Sequence, residues 1–422
     1  MSSNKSIFSP PIWKQLMTDA PFAWHQRFEA VQGLQFTLSD LLHSDQILDT
    51  YIDALRIAKQ AGACLHEDLD FEDWGAVFIG AILGLMFEDN ELLGTTIAAI
   101  GDDLARAEEL EYAIRWLTVH TTNKRIAQWR EHENPAIRRA VFGALYADAD
   151  PETLRNKPQH LRTQTHPVVL TRLLDIAGNQ RHTAWASEIA RLYDAELLDI
   201  RFHAIRAGIL LGNAKAFSLL NKIRNEDGPY RANALELYLR AGKPKETQKA
   251  ITEILESELS THLQCQCVAW AGYSDFVPFI IRAMEYPLYA RTAGYAFSRL
   301  TGVDIMEEDL DRELPEIDDK KTNASAEQKE DLYRHPNERD WPWPAPDKIQ
   351  AWWEQQTLRF SPGTRYLAGY PITKPNLDSV LIHGTQPQRQ AAALERSFLT
   401  LGVPVFDIKA YAPLQQQRLM TL

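Results

Sequence analysis

The feature that most constrains this chain is a period. Apolar, helix-length segments end in glycine at Gly178 ("LTRLLDIAG"), Gly212 ("IRAGILLG"), Gly242 ("LELYLRAG"), Gly272 ("CVAWAG") and Gly302 ("AFSRLTG"), at steps of 34, 30, 30 and 30 residues. One further step back from Gly178 reaches Asp148, just after the helix end "AVFGALYA". A glycine after a helix supplies the left-handed residue that closes its last turn. Five positions before each glycine stands a residue fit for burial: Leu173, Ala207, Leu237, Cys267 and Phe297. Eight before, Ala204, Ala234 and Gly294 are small enough to let neighbouring helices approach. Eleven before, Arg201, Arg231 and Arg291 recur. They are expected to bridge neighbouring units by hydrogen bonds to helix ends, or to align as a ladder for an anion. A second helix follows the glycines, as in "AKAFSLLNKIRN" and "KETQKAITEILESE".

A helix pair of about 30 residues cannot bury its apolar face alone, so tandem copies must stack. The expected fold is therefore all-α, an α-solenoid. The opening "NPAIRRAVFGAL" (134–145) resembles a HEAT repeat. Upstream, "TLSDLLHSDQILDTYIDALRIAKQAG" starts on a capping candidate, Thr37 or Ser39, and ends on Gly62. Residues 73–119 read as two or three more helices that cap the first repeat. The expected organisation is an N-terminal helical region (1–130), HEAT-like repeats (131–306), an acidic linker (307–340) and a small Trp-rich C-terminal helical domain (341–422).

Residues 307–340 carry 13 acidic and 6 basic side chains, more than half of the chain's net charge of -12. Too little there is apolar to offset the entropy of ordering, which predicts a mobile linker. The acidic balance argues against a general nucleic-acid binder, which needs a basic face for phosphates. The run "WGAVFIGAILGLMF" (74–87) is too short to span a bilayer and reads as a buried helix. The N-terminus lacks the apolar core of a secretory signal, and three cysteines are too few for a disulfide framework, so a cytoplasmic protein is expected.

After the linker the chain concentrates tryptophan: Trp341, Trp343, Trp352 and Trp353 fall within thirteen positions, against 11 in the whole chain. Trp341-Pro-Trp343-Pro is stiff and extended. Asp347 is a cap for a helix running to about Arg359. Short helices follow to Gly384 and Gly402, and "PVFDIKAYAP" reads as extended. The tryptophans either form the core of the small domain or present an aromatic platform to a partner. "GTRYL" and "QPQRQ" add Arg365, Tyr366, Gln388 and Arg389, which satisfy turn carbonyls or hydrogen-bond a partner. These eight are the candidate partner-binding residues.

The segments "WPWPAPDKIQAWW", "RFSPGTRYLAGYPIT", "QPQRQAAALERS" and "PVFDIKAYAP", with "DALRIAKQAG" upstream, resemble a bacterial HEAT-repeat family of unknown function. The resemblance implies a gene neighbourhood of type VI secretion spike (VgrG) proteins and their cargo, and hence an adaptor or chaperone for spike or effector. It carries no catalytic residues. Nothing in the sequence matches a phosphate loop, a nucleophile elbow or a zinc-protease helix. The histidines lack helical ligand spacing, and Cys265 and Cys267 read as small buried residues. No cofactor, metal or membrane insertion is expected. A non-enzymatic protein-binding scaffold is the first reading. The alternatives are an immunity or regulatory protein that occludes a toxin, and a HEAT-like DNA glycosylase, which the acidic charge disfavours.

Overall fold

The structure, a computed structural model, describes residues 10–61, 69–118, 124–147, 160–313, 341–400 and 402–421. Within them it is all-helical, with twenty-one α-helices, three 3-10 turns and one two-stranded hairpin. No helix among the described residues is long and apolar enough to cross a membrane. The chain divides into two compact units: Met1–Ala216 with Ile382–Ala393 and Leu401–Leu422, and Phe217–Leu381 with Leu394–Thr400.

The first unit opens with α1 (Pro10–Gln32) and α2 (Leu38–Gln60), packed as a helical hairpin. Thr37 and Asp40 form the capping box that starts α2, the Thr37 amide donating to the Asp40 carboxylate at 2.7 Å. α3 (Trp74–Met86) is the apolar run of the sequence. Asp73 caps it by accepting the Gly75 amide, and every residue from 75 to 85 is buried. α4 (Asn90–Ile100) is capped in the same way by Asp89. Next come α5 (Leu104–Thr118), α6 (Lys124–Trp129), α7 (Pro135–Ala147), α8 (His160–Thr163), α9 (Pro167–Asn179), α10 (Ala186–Arg191) and α11 (Leu198–Leu210).

Alternate helices make the layer: α3 packs on α5, α5 on α7, α7 on α9, and α9 on α11. Small residues allow this. A Cβ at Gly178 would come within 2.8 Å of the Ala207 backbone on α11, so α9 and α11 touch closely there. The core of the unit runs from Trp24 and Leu48 through Phe78 and Ile114 to Val141. Each fully buried aliphatic side chain contributes roughly 1.5–3 kcal/mol.

In the second unit, α12 (Ala214–Asn225), begun in the first, leads to α13 (Arg231–Ala241), α14 (Pro244–Leu255), α15 (Thr261–Ala271), α16 (Val277–Ala283) and α17 (Pro287–Thr301). Here α13 packs on α15 and α15 on α17. The residues five before each glycine, Leu173, Ala207, Leu237, Cys267 and Phe297, are all buried, as the period predicts.

The glycines themselves divide. Gly212, Gly272 and Gly302 hold the left-handed conformation, with φ of 78°, 74° and 76°. Gly178 is instead helical, chosen for close approach. Gly242 is extended (φ -73°, ψ 159°), because α14 restarts two residues later at Pro244. The recurring arginines form no common ladder. Arg201 donates to the Ala195 carbonyl, Arg231 pairs with Asp227, and Arg291 lies 4.5 Å from the Trp343 ring centre.

The C-terminal 82 residues are divided between the two units. After Asp311 pairs with Pro344, α18 (Pro346–Gln356) lays Ile349 and Trp353 into the cluster that holds Cys267 and Phe297. The helix begins after Ala345, two residues earlier than an Asp347 cap would give. A hairpin of β1 (Tyr366–Leu367) and β2 (Tyr370–Pro371) follows, then α19 (Lys374–His383) and α20 (Gln386–Leu399). The extended segment 403–410 and a last helix, α21 (Ala412–Leu419), join the first unit, where α21 packs on α2. Most of the acidic linker, residues 314–340, lies outside the described residues, as does Cys64.

Candidate functional site

Charged side chains at helical spacing place a row on successive helices of the first unit. Glu111 and Arg115 are four apart on α5. Arg172, Asp175 and Asn179 are three and four apart on α9, and His203 and Arg206 three apart on α11. Each set therefore shares one helix face. Gly143 of α7 lets the row cross that helix, since a Cβ there would overlap the Glu111 carboxylate. Glu111 reaches past it to the Arg172 guanidinium, which grips both carboxylate oxygens, Nε at 3.1 Å. His203 Nδ1 sits 2.7 Å from Asp175, and Arg206 donates to Asn179 Oδ1 at 2.9 Å. Burial works to raise the Asp175 carboxyl, yet the His203 hydrogen bond and Arg206 hold it below the usual range.

The extended segment 403–410 lies against this row. The Val405 amide donates to the Asn179 carbonyl at 2.8 Å, and Asp407 pairs with Arg115 at 2.6 Å. Burial would raise Asp407, but Arg115 holds it down to about 2. Beyond the segment the row stays open to solvent: Arg172, Asp175, His203 and Arg206 are 20–24% exposed. Such a surface can exchange internal ion pairs for pairs with a partner.

The eight residues singled out in the sequence fall in both units, six in the second and two in the first. Trp341 stacks on Tyr295 (4.3 Å) and Trp343 is buried against Arg291. Trp352 meets Phe297 edge-on at 5.6 Å, and Trp353 lies between Phe297 and Phe360. Tyr366 is 3% exposed; its hydroxyl accepts the Ser361 amide and donates to the Arg359 carbonyl. Arg365 serves helix ends, donating to the carbonyls of Ala271, Trp270 and Arg240 and pairing with Glu395 at 2.6 Å. Gln388 and Arg389 belong to the other unit. Gln388 accepts the Thr385 amide at the start of α20. Arg389 is wholly buried on Gln386 and Gln415, and burial lowers its guanidinium to about 10. Trp353 and Tyr366 thus belong to the core cluster that holds Cys267 and Phe297, Trp343 is buried beside Arg291, and Trp341 and Trp352 are partly buried.

Sequence reasoning passed over Glu395, which pairs with both Arg240 and Arg365, and Arg27 and Asp45, a buried pair. Their one visible signal is a charge inside an apolar helical stripe. Cys265 and Cys267 are both buried, and burial pushes the Cys267 thiol up. Among the described residues no group of three or more His, Cys, Asp or Glu is placed to hold a metal ion. Compared with known protein families, curated proteins and solved structures, the chain gives no match.

Proposed function

We propose that this chain is a non-enzymatic protein-binding scaffold, an α-solenoid of HEAT-like helix pairs that serves as adaptor or chaperone for a type VI secretion spike or its cargo. The observation that carries the reading is the half-open charged row of Arg172, Asp175, His203 and Arg206 on alternate stacked helices. Stacked helix pairs of similar length present one side chain per unit at regular intervals, which suits an extended partner. The roughly 30-residue period and the tail motifs that resemble the secretion-linked family support the same reading.

The test is a pull-down with the tagged full chain from its native cells, beside an Arg206→Glu variant. Recovery of a spike or effector in stoichiometric amount, reduced by the variant, is the expected result. Recovery of no such protein overturns the adaptor reading. Protection of cells from a toxin encoded next to the gene, without an effect on export, decides for the immunity role instead.

A further inference from the structure

Glu109 on α5 is 3% exposed inside the core of the first unit. Its carboxyl accepts a hydrogen bond from the Trp24 indole of α1. Aromatic rings surround it. Trp24 stacks on Phe78 of α3 at 3.7 Å and meets Tyr112 and Trp116 at 5.6 and 6.1 Å. α3 has no ionisable residue between Trp74 and Met86. The charges that act on Glu109 are Glu108 of its own helix, which repels it, and Arg27 of α1, which attracts it.

Arg27 is already committed elsewhere. Its Nε pairs with Asp45 of α2 at 2.9 Å, and Nη2 donates to the carbonyls of Lys409 and Ala410, each at 3.0 Å. Its guanidinium lies over Trp24 and Trp116, at 5.4 and 5.6 Å from the ring centres. Asp45 in turn accepts the Ala412 amide, and Asp49 of α2 accepts from Trp116 and from Tyr411. Arg27 therefore holds the C-terminal segment through its hydrogen bonds and lies over the Trp24 ring, whose indole donates to Glu109. Burial, with no cation paired to it among the described residues, keeps the Glu109 proton on, pushing the carboxyl up to about 8.

We propose that Glu109 is a proton-operated latch for the C-terminal segment. While the carboxyl is neutral, Arg27 stays on the carbonyls of Lys409 and Ala410. When the proton leaves, the new carboxylate draws Arg27 toward Trp24, and residues 409–412 loosen from α1 and α2.

Hydrogen exchange on the full chain between pH 6 and 9.5, corrected for the intrinsic pH dependence of exchange, tests this. The opening constant for amides in residues 409–419 is expected to rise, by up to about tenfold per pH unit, from pH 6 to the Glu109 midpoint and to level off above it, as one linked proton requires. Glu109→Gln, which keeps the Trp24 hydrogen bond, is expected to flatten that slope. An unchanged slope in the variant, or a flat wild type, overturns the proposal. Should the variant fold poorly, carbon NMR titration of the wild-type glutamate carboxyls replaces it. A Glu109 midpoint below about pH 6, near ordinary values, overturns the latch, and one near 8 supports it.

Discussion

At the scale of single residues, buried charges carry consequences that can be measured. Glu395 is 1% exposed and pairs with Arg240, equally buried, and with Arg365. Removing it leaves two guanidiniums without their carboxylate. Glu395→Ala should cost about 3–5 kcal/mol in urea unfolding of the full chain, the range for breaking one side of a buried pair. Asp407 gives a pH signature. Its folded pKa is depressed below 3.8, so its stabilisation is complete above that value and is lost as pH falls toward about 2. Asp407→Asn should remove about 1–2 kcal/mol at pH 7 and flatten the thermal melting curve between pH 4 and 2. A variant that melts with the wild-type acid dependence would dissociate Asp407 from that transition.

At the scale of elements, helix ends separate two roles of glycine that look alike in sequence. Gly212 and Gly302 are both left-handed, with φ of 78° and 76°. A Cβ at Gly212 meets nothing within 4 Å, whereas one at Gly302 would overlap the Ala368 carbonyl. Ala368 and Gly369 form the hairpin turn, both with positive φ, and their amides donate to the carbonyls of Arg299 and Leu300. Gly212→Ala should therefore lose only the conformational term, about 1 kcal/mol. Gly302→Ala should lose that and the docking of the hairpin on α17, at least about 1 kcal/mol more. Paired thermal melts decide, and equal losses would remove the hairpin from the cap. The same logic separates the tryptophans. Trp353, clamped between Phe297 and Phe360, should cost about 3–5 kcal/mol as Trp353→Ala. Trp341, half-buried on Tyr295, should cost less.

At the scale of the whole molecule, charge dominates what can associate. The chain carries -12 overall, -7 of it within residues 307–340. Capture of a partner by the charged row should weaken steadily as salt rises from about 50 to about 500 mM and the screening length shortens. Binding that is insensitive to salt would point to an apolar interface instead. The two units each contain a layer of alternately packed helices, and each includes part of the C-terminal 82 residues.

The amino-acid sequence by itself determined the helical class, the period and the positions that are buried, because 3.6-residue periodicity and glycine punctuation are local signals. It also marked Thr37 or Ser39 as the cap of the second helix, and the buried helix from Trp74. Only the tertiary structure decided which glycines are left-handed and which serve close approach, since Gly178 and Gly302 differ in what lies across from them. It likewise decided that Arg365 closes helix ends, that Trp343 and Trp353 are core, and that residues 403–419 complete the first unit. Pairings such as Arg27 with Asp45 and Ala410, 383 residues away, depend on chain folding over long separations, which no local pattern encodes.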